Sequence, residues 1–238
     1  MNKYYNAFQD AISWFNFKKD PVEVSEIQQF KLTKKFQEIF PVTANLIDQS
    51  TKTGVVFNEK SLILFTWEIG QEISGWMCQF DNPRIEIIEE HKILIDNIGG
   101  IIESFNGPEG IDVNGITYNY ALTLNQNFMY VGSMCDAKMD WEDYYKDRCK
   151  SEGFLSMDLS DSVFFTQEAN GARTFYDRKT KKITLFSHDH AFKFVDFIQG
   201  QPEYTMHNIK GVESFVDYVE LTSKQWDTYF ENKRRLSK

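Results

Sequence analysis

Val163-Phe164-Phe165-Thr166-Gln167-Glu168-Ala169-Asn170-Gly171-Ala172-Arg173-Thr174-Phe175-Tyr176, followed after the charged turn Asp177 to Lys182 by Ile183-Thr184-Leu185-Phe186, reads as three β-strands in succession. β-Branched and aromatic side chains suit the pleated, half-buried surface of a sheet. Asn170-Gly171 supplies the positive φ angles that a tight type I′ turn requires, so the pattern predicts an antiparallel meander.

Working outward from the meander, Asp140 to Lys150 reads as a short acidic helix, and Ile116 to Leu124 and Phe128 to Val131 read as strands. After it, Val212, Phe215, Val216 and Val219, then Trp226, Tyr229 and Phe230, predict two short amphipathic helices or one with a break, ahead of the basic tail Lys233-Arg234-Arg235. Ile87, Ile88, His91, Leu94, Ile95 and Ile98 form an apolar stripe with Asn82-Pro83 as its expected start and Gly99-Gly100 as its C-cap. Earlier still, Gly54 to Phe57, Leu62 to Trp67 and Trp76 to Phe80 are β-rich runs separated by turn residues. Tyr5, Phe8, Ala11, Ile12 and Phe15 recur at helical spacing, with Lys18-Lys19-Asp20-Pro21 as the stop. Ser25 and Gln28 have the form of a capping box for a second helix carrying Ile27, Phe30, Phe36 and Ile39. This order predicts an α+β fold: a mixed, mainly antiparallel sheet flanked by N-terminal and C-terminal helices, in a single domain over 1–238.

The 42% hydrophobic and 16% aromatic content supplies enough apolar area for a substantial core. No apolar run approaches the roughly 20 residues that span a bilayer, and the N-terminus lacks a signal peptide's apolar stretch, so a cytoplasmic location is expected. Cys78, Cys135 and Cys149 are odd in number and have no C-x-x-C spacing, which argues for reduced thiols rather than disulfides or zinc. A net charge of −9 repels phosphate backbones and anionic membranes and favours encounter with a basic protein. Neither nucleic acid nor membrane is therefore expected as a direct partner.

His188-Asp189-His190 is the most enzyme-like triplet, and a metal-dependent hydrolase centred on His188 and His190 is one reading of it. In an extended segment the two histidines share a face while Asp189 turns away, and a metal would need further ligands that His91 and His207 do not offer by spacing. There is no G-x-S-x-G elbow, no G-x-G-x-x-G and no P-loop, and no cysteine has a neighbouring histidine. With no nucleophile, base and oxyanion site in one constellation, a non-catalytic protein without cofactor or metal is expected. The surface candidate is Asp140, Trp141, Glu142, Asp143, Tyr144 and Asp147, carboxylates at helical spacing around aromatic residues of the kind that anchor interfaces.

Three stretches resemble the SUKH superfamily, which includes bacterial toxin-immunity proteins and yeast cell-wall-synthesis regulators. They are the helix-to-diglycine passage His91 to Ile101, the meander Val163 to Asp189 ending near a His-Asp pair, and the closing segment Gly211 to Val219. The family's Leu-Pro before the first core helix is not evident, and Asn97 stands displaced from its usual place before the glycine pair. The resemblance implies a SUKH-like core at about 82–232 with an N-terminal extension at about 1–81. It further implies an immunity protein that neutralises a cognate, basic toxin, possibly a nuclease, by direct binding. A regulatory scaffold without a toxin partner is the alternative it leaves open.

Overall fold

The computed structural model describes residues 2–12, 22–57, 59–108, 111–113, 116–118, 128–129, 141–167, 171–188 and 195–236. The first helix, α1 (Lys3–Ala11), starts where the Asn2 side chain accepts from the Tyr4 and Tyr5 amides, and it buries Tyr5 and Phe8. The chain then forms β1 (Val22–Glu26), α2 (Lys34–Ile39) and α3 (Pro41–Asp48), followed by the long antiparallel run β2 (Thr51–Phe57), β3 (Lys60–Ile69) and β4 (Glu72–Gln79). Next come α4 (Glu89–Ile98) and β5 (Gly100–Phe105). Gly99 between them has φ +74°, and a β-carbon there would lie 2.6 Å from the Gln79 carbonyl oxygen, so only glycine turns this corner without strain. The small ribbon β6 (Ile111–Val113) and β7 (Ile116–Tyr118) and the short β8 (Phe128–Met129) precede α5 (Glu142–Glu152). The remainder is β9 (Ser162–Phe164), β10 (Thr166–Gln167), β11 (Arg173–Asp177), β12 (Ile183–Phe186), β13 (Val195–Phe197), β14 (Met206–Ile209) and α6 (Phe215–Leu236).

Among the described residues the strands assemble into a seven-stranded sheet of order β1-β2-β3-β4-β5-β8-β10, a five-stranded sheet of order β13-β14-β12-β11-β9, and the β6-β7 ribbon, with every ladder antiparallel. The α+β class with antiparallel sheets and terminal helices is thus the observed one. The expected single sheet is two, because the segment 162–167 leaves one sheet and enters the other at Phe165, whose amide donates to the Thr174 carbonyl. Strands that change sheets at a bend are a general way of joining two layers.

Each sheet buries both faces. On the seven-stranded sheet, Val55, Leu62, Leu64, Met77 and Phe105 meet Tyr5, Phe8 and Ile12. The opposite face, with Phe65, Trp67, Trp76, Cys78 and Ile101, belongs to the main core that α2, α3, α4 and α6 complete. Val163, Tyr176, Ile183, Leu185 and Ile209 of the five-stranded sheet enter that same core, while Phe164, Phe175, Phe186 and Met206 face Tyr145 and Cys149 of α5. A boundary at about residue 81 runs between β4 and β5, which are paired, and through a cluster that joins Leu32, Phe36 and Phe40 to Tyr218 and Trp226.

Several expected elements are placed differently. Ser25 does not cap a helix: it lies in β1 opposite Gly54, and α2 begins at Lys34, capped by Thr33, whose Oγ1 accepts from the Phe36 amide. The alternation Val22-Glu23-Val24 is the period-2 signal that outweighs the capping box. Residues 82–88 precede α4 without helical structure, and Ile88 takes the N-cap position in an extended conformation. The closing segment is one unbroken helix, since α6 runs 22 residues through Thr222-Ser223, both of them buried. α1 ends at Ala11, and Phe15 and the Lys18 to Pro21 stop lie outside the described residues. The same holds for Asn170, for residues 119–127 and for 130–131 of the strands expected at Ile116 to Leu124 and Phe128 to Val131.

Candidate protein-interaction site

α5 is set on the five-stranded sheet by Tyr145 and Cys149, one turn apart and both buried. That placement turns Trp141, Tyr144 and Arg148, which share another face by the same spacing, toward solvent. The Trp141 indole stacks on the His188 ring, 4.6 Å between centroids and 22° between planes, and His188 in turn lies parallel to Phe186 at 6.2 Å. Gly171, at φ +87°, leaves room for this: a β-carbon there would come within 2.8 Å of Trp141 Nε1. The indole is therefore held from behind while 36% of the residue stays exposed.

Tyr144 meets Trp141 edge-on at 6.0 Å and is equally exposed, and its hydroxyl accepts from Arg148 Nη1 at 3.1 Å. Arg148 is ion-paired with Glu152 at 2.6 Å, and Glu142 is paired with Lys146. Asp143 and Asp147, exposed and one turn apart, make no ion pair among the described residues. The aromatic ridge continues off the helix. Arg148 Nη2 reaches the Glu203 carbonyl at 3.4 Å, and the adjacent Tyr204 sits edge-on to Phe197, a residue 47% exposed that packs over the buried His207 at 5.0 Å.

No family model, curated protein or solved structure matches this chain.

Of the six residues singled out by sequence, Trp141, Glu142, Asp143, Tyr144 and Asp147 come together on α5 and its first turn, while Asp140 lies outside the described residues. Sequence reasoning missed Phe197 and Tyr204, which join the ridge only through the β13–β14 connection, and Phe154 and Leu155 just past the end of α5. No local signal separates those aromatics from core residues, because 21 Phe and 11 Tyr recur throughout the chain.

Of the enzyme-like triplet, His188 is the middle ring of the Trp141–His188–Phe186 stack, and Asp189 and His190 lie outside the described residues. No group of three His, Cys, Asp or Glu side chains able to hold a metal occurs among the described residues. His91 is a core residue: its Nδ1 lies 3.1 Å from the Tyr176 hydroxyl, and its ring packs on Phe215 at 4.4 Å. His207 is fully buried. Burial lowers its pKa, and the carbonyls of Leu185 and Thr205 pull weakly the other way. Burial likewise raises the Cys78 thiol, which makes it an inert core side chain.

Proposed function

We propose that this chain is a non-catalytic protein-binding module of the immunity type, which neutralises a basic protein toxin by seating it on the outer face of α5. The observation that carries the reading is the pairing of two exposed aromatic rings, Trp141 and Tyr144, with the exposed carboxylates of Asp143 and Asp147 on one helix, which make no ion pair among the described residues. A Trp held rigidly from behind gives up little freedom on binding, which is what an interface anchor requires. The net charge of −9 and the two exposed carboxylates complement a basic surface and speed the encounter with it. The sequence resemblance to toxin-immunity proteins supports the choice of a toxin over other basic partners.

The test is co-expression with the protein encoded beside this chain, scored by host survival and by recovery of a complex. Survival that depends on this chain, with a complex whose association slows as salt rises, is the expected result. The double change Asp143→Lys with Asp147→Lys is expected to slow association about tenfold and to leave stability within roughly 0.5 kcal/mol, as for most exposed substitutions. A harmless neighbour, or an association rate indifferent to the two charge reversals, would refute the assignment to this face.

A further inference from the structure

α5 ends at Gly153, in the left-handed region at φ +77°, and the Phe154 amide donates back to the Cys149 carbonyl at 2.8 Å. From there the chain runs irregularly to Leu159, which is buried with Met157 against the five-stranded sheet. Loops of this kind are usually mobile, yet this one is fastened along its length. The Tyr145 hydroxyl, fully buried beneath it, accepts from the Met157 amide at 2.7 Å and donates to Gln201 Oε1. Gln201 Nε2 donates in turn to the Leu155 carbonyl at 3.1 Å and to the Gly200 carbonyl at 2.8 Å. Burial raises the Tyr145 pKa, so its phenol keeps the proton that this network uses. Both ends of the Gln201 amide are therefore engaged, and the β13–β14 connection clasps the segment after α5.

The clasp holds an apolar side chain in water. Leu155 is 89% exposed, and Phe154 beside it is 38% exposed. A fixed backbone presenting a free leucine has already lost the conformational entropy that binding would otherwise cost, and gains on burial what the side chain forfeits in water. The charges beside it are mixed, since Glu152 is ion-paired with Arg148 and Asp161 with Arg178 and Lys179, while the chain as a whole carries a net charge of −9. Resting on the protein-binding reading given above, we infer that Leu155 is a second, apolar anchor for the same basic protein, entering an apolar pocket on it while α5 supplies the charge. Gln201 is its positioning residue, acting through the Leu155 carbonyl rather than by touching the partner.

The experiment uses the full chain and, as probe, an inactive form of the protein encoded beside it, with rates measured by surface plasmon resonance. Leu155→Ser is expected to leave thermal stability unchanged, since the side chain touches little, and to weaken the complex by roughly tenfold to a hundredfold, the value of one buried leucine. The loss should appear in the dissociation rate, in contrast to the association-rate effect of Asp143→Lys with Asp147→Lys. Gln201→Ala, which keeps Leu155 but frees its backbone, is expected to speed amide exchange at Met157 and to weaken binding by a smaller factor in the same direction. Binding of Leu155→Ser within twofold of the unaltered chain overturns the anchor while leaving the α5 reading standing. Absence of any complex with the unaltered chain removes both.

Discussion

Glu103 lies in β5 opposite Met77, on the face of the seven-stranded sheet that Tyr5 and Phe8 cover, and its Oε2 is buried without a hydrogen bond. Burial pushes its pKa up to about 8, against the weaker opposing pull of a hydrogen bond from the Ser104 amide. An unfolded glutamate titrates near 4.3, so between that value and about 8 the unfolded chain binds fewer protons than the native one. Stability attributable to this group is whole below about pH 4.3 and is lost as pH rises to about 8, at no more than roughly 1.4 kcal/mol per pH unit. Glu103→Gln keeps the shape and removes the titration. In urea denaturation at pH 5 and pH 8, the substituted protein is expected to be the more stable at pH 8, and the gap between the two should shrink at pH 5. A gap independent of pH would show that the carboxyl is ionised in the native state. Nothing in the sequence marks Glu103, since Glu103-Ser104 reads as a polar break after Ile101-Ile102 until the pairing with β4 places it inside.

At the scale of elements, α2 and α3 meet at Phe40, which ends one helix and begins the other and has no oxygen with which to cap. The cap comes instead from α6: the Glu220 carboxylate accepts from the Val42 amide at 2.9 Å, the Thr43 amide at 3.0 Å and the Thr43 hydroxyl at 2.7 Å. A carboxylate on exposed amides at a helix start satisfies donors and complements the helix dipole. Glu220→Ala is expected to cost about 1–2 kcal/mol in guanidinium denaturation, and Glu220→Gln less, because one acceptor oxygen survives. Equal stability of all three proteins would mean that water serves the amides as well. This cap joins residues 177 and 178 positions apart and is therefore illegible in the sequence, where only Pro41 at the first helical position marks the start of α3. Where the signal is local the sequence reads well: the meander strands pair as β9-β11-β12, the α4 stripe ends at Gly99, and α5 falls on the acidic run. β13 and β14, by contrast, are three and four residues long and carry Asp196, His207 and Asn208, too short and too polar for periodicity to reveal.

For the molecule as a whole, α6 is the piece both sheets share. Its first turns set Phe215 and Tyr218 against Phe165 and place Phe215 on Tyr176, while its later turns set Trp226 against Trp67 and Trp76 at 5.9 and 5.3 Å and Phe230 against Trp67 at 5.3 Å. At 22 residues it is about 33 Å long, enough to run across both layers. Trp226→Ala is expected to cost about 3–5 kcal/mol and to abolish the near-ultraviolet circular dichroism of the three-tryptophan contact, with Trp226→Phe retaining part of both. A small loss confined to the tryptophan signal would mean that the sheets hold together without this joint. The same arrangement bears on how the protein is made. The core that α6 closes begins at Leu32, so roughly 200 residues must leave the ribosome before that core can form, about 10–40 s at ordinary rates of synthesis. Through that interval the nascent chain carries its tryptophan-lined sheet face uncovered, and protection from chaperones matters most then.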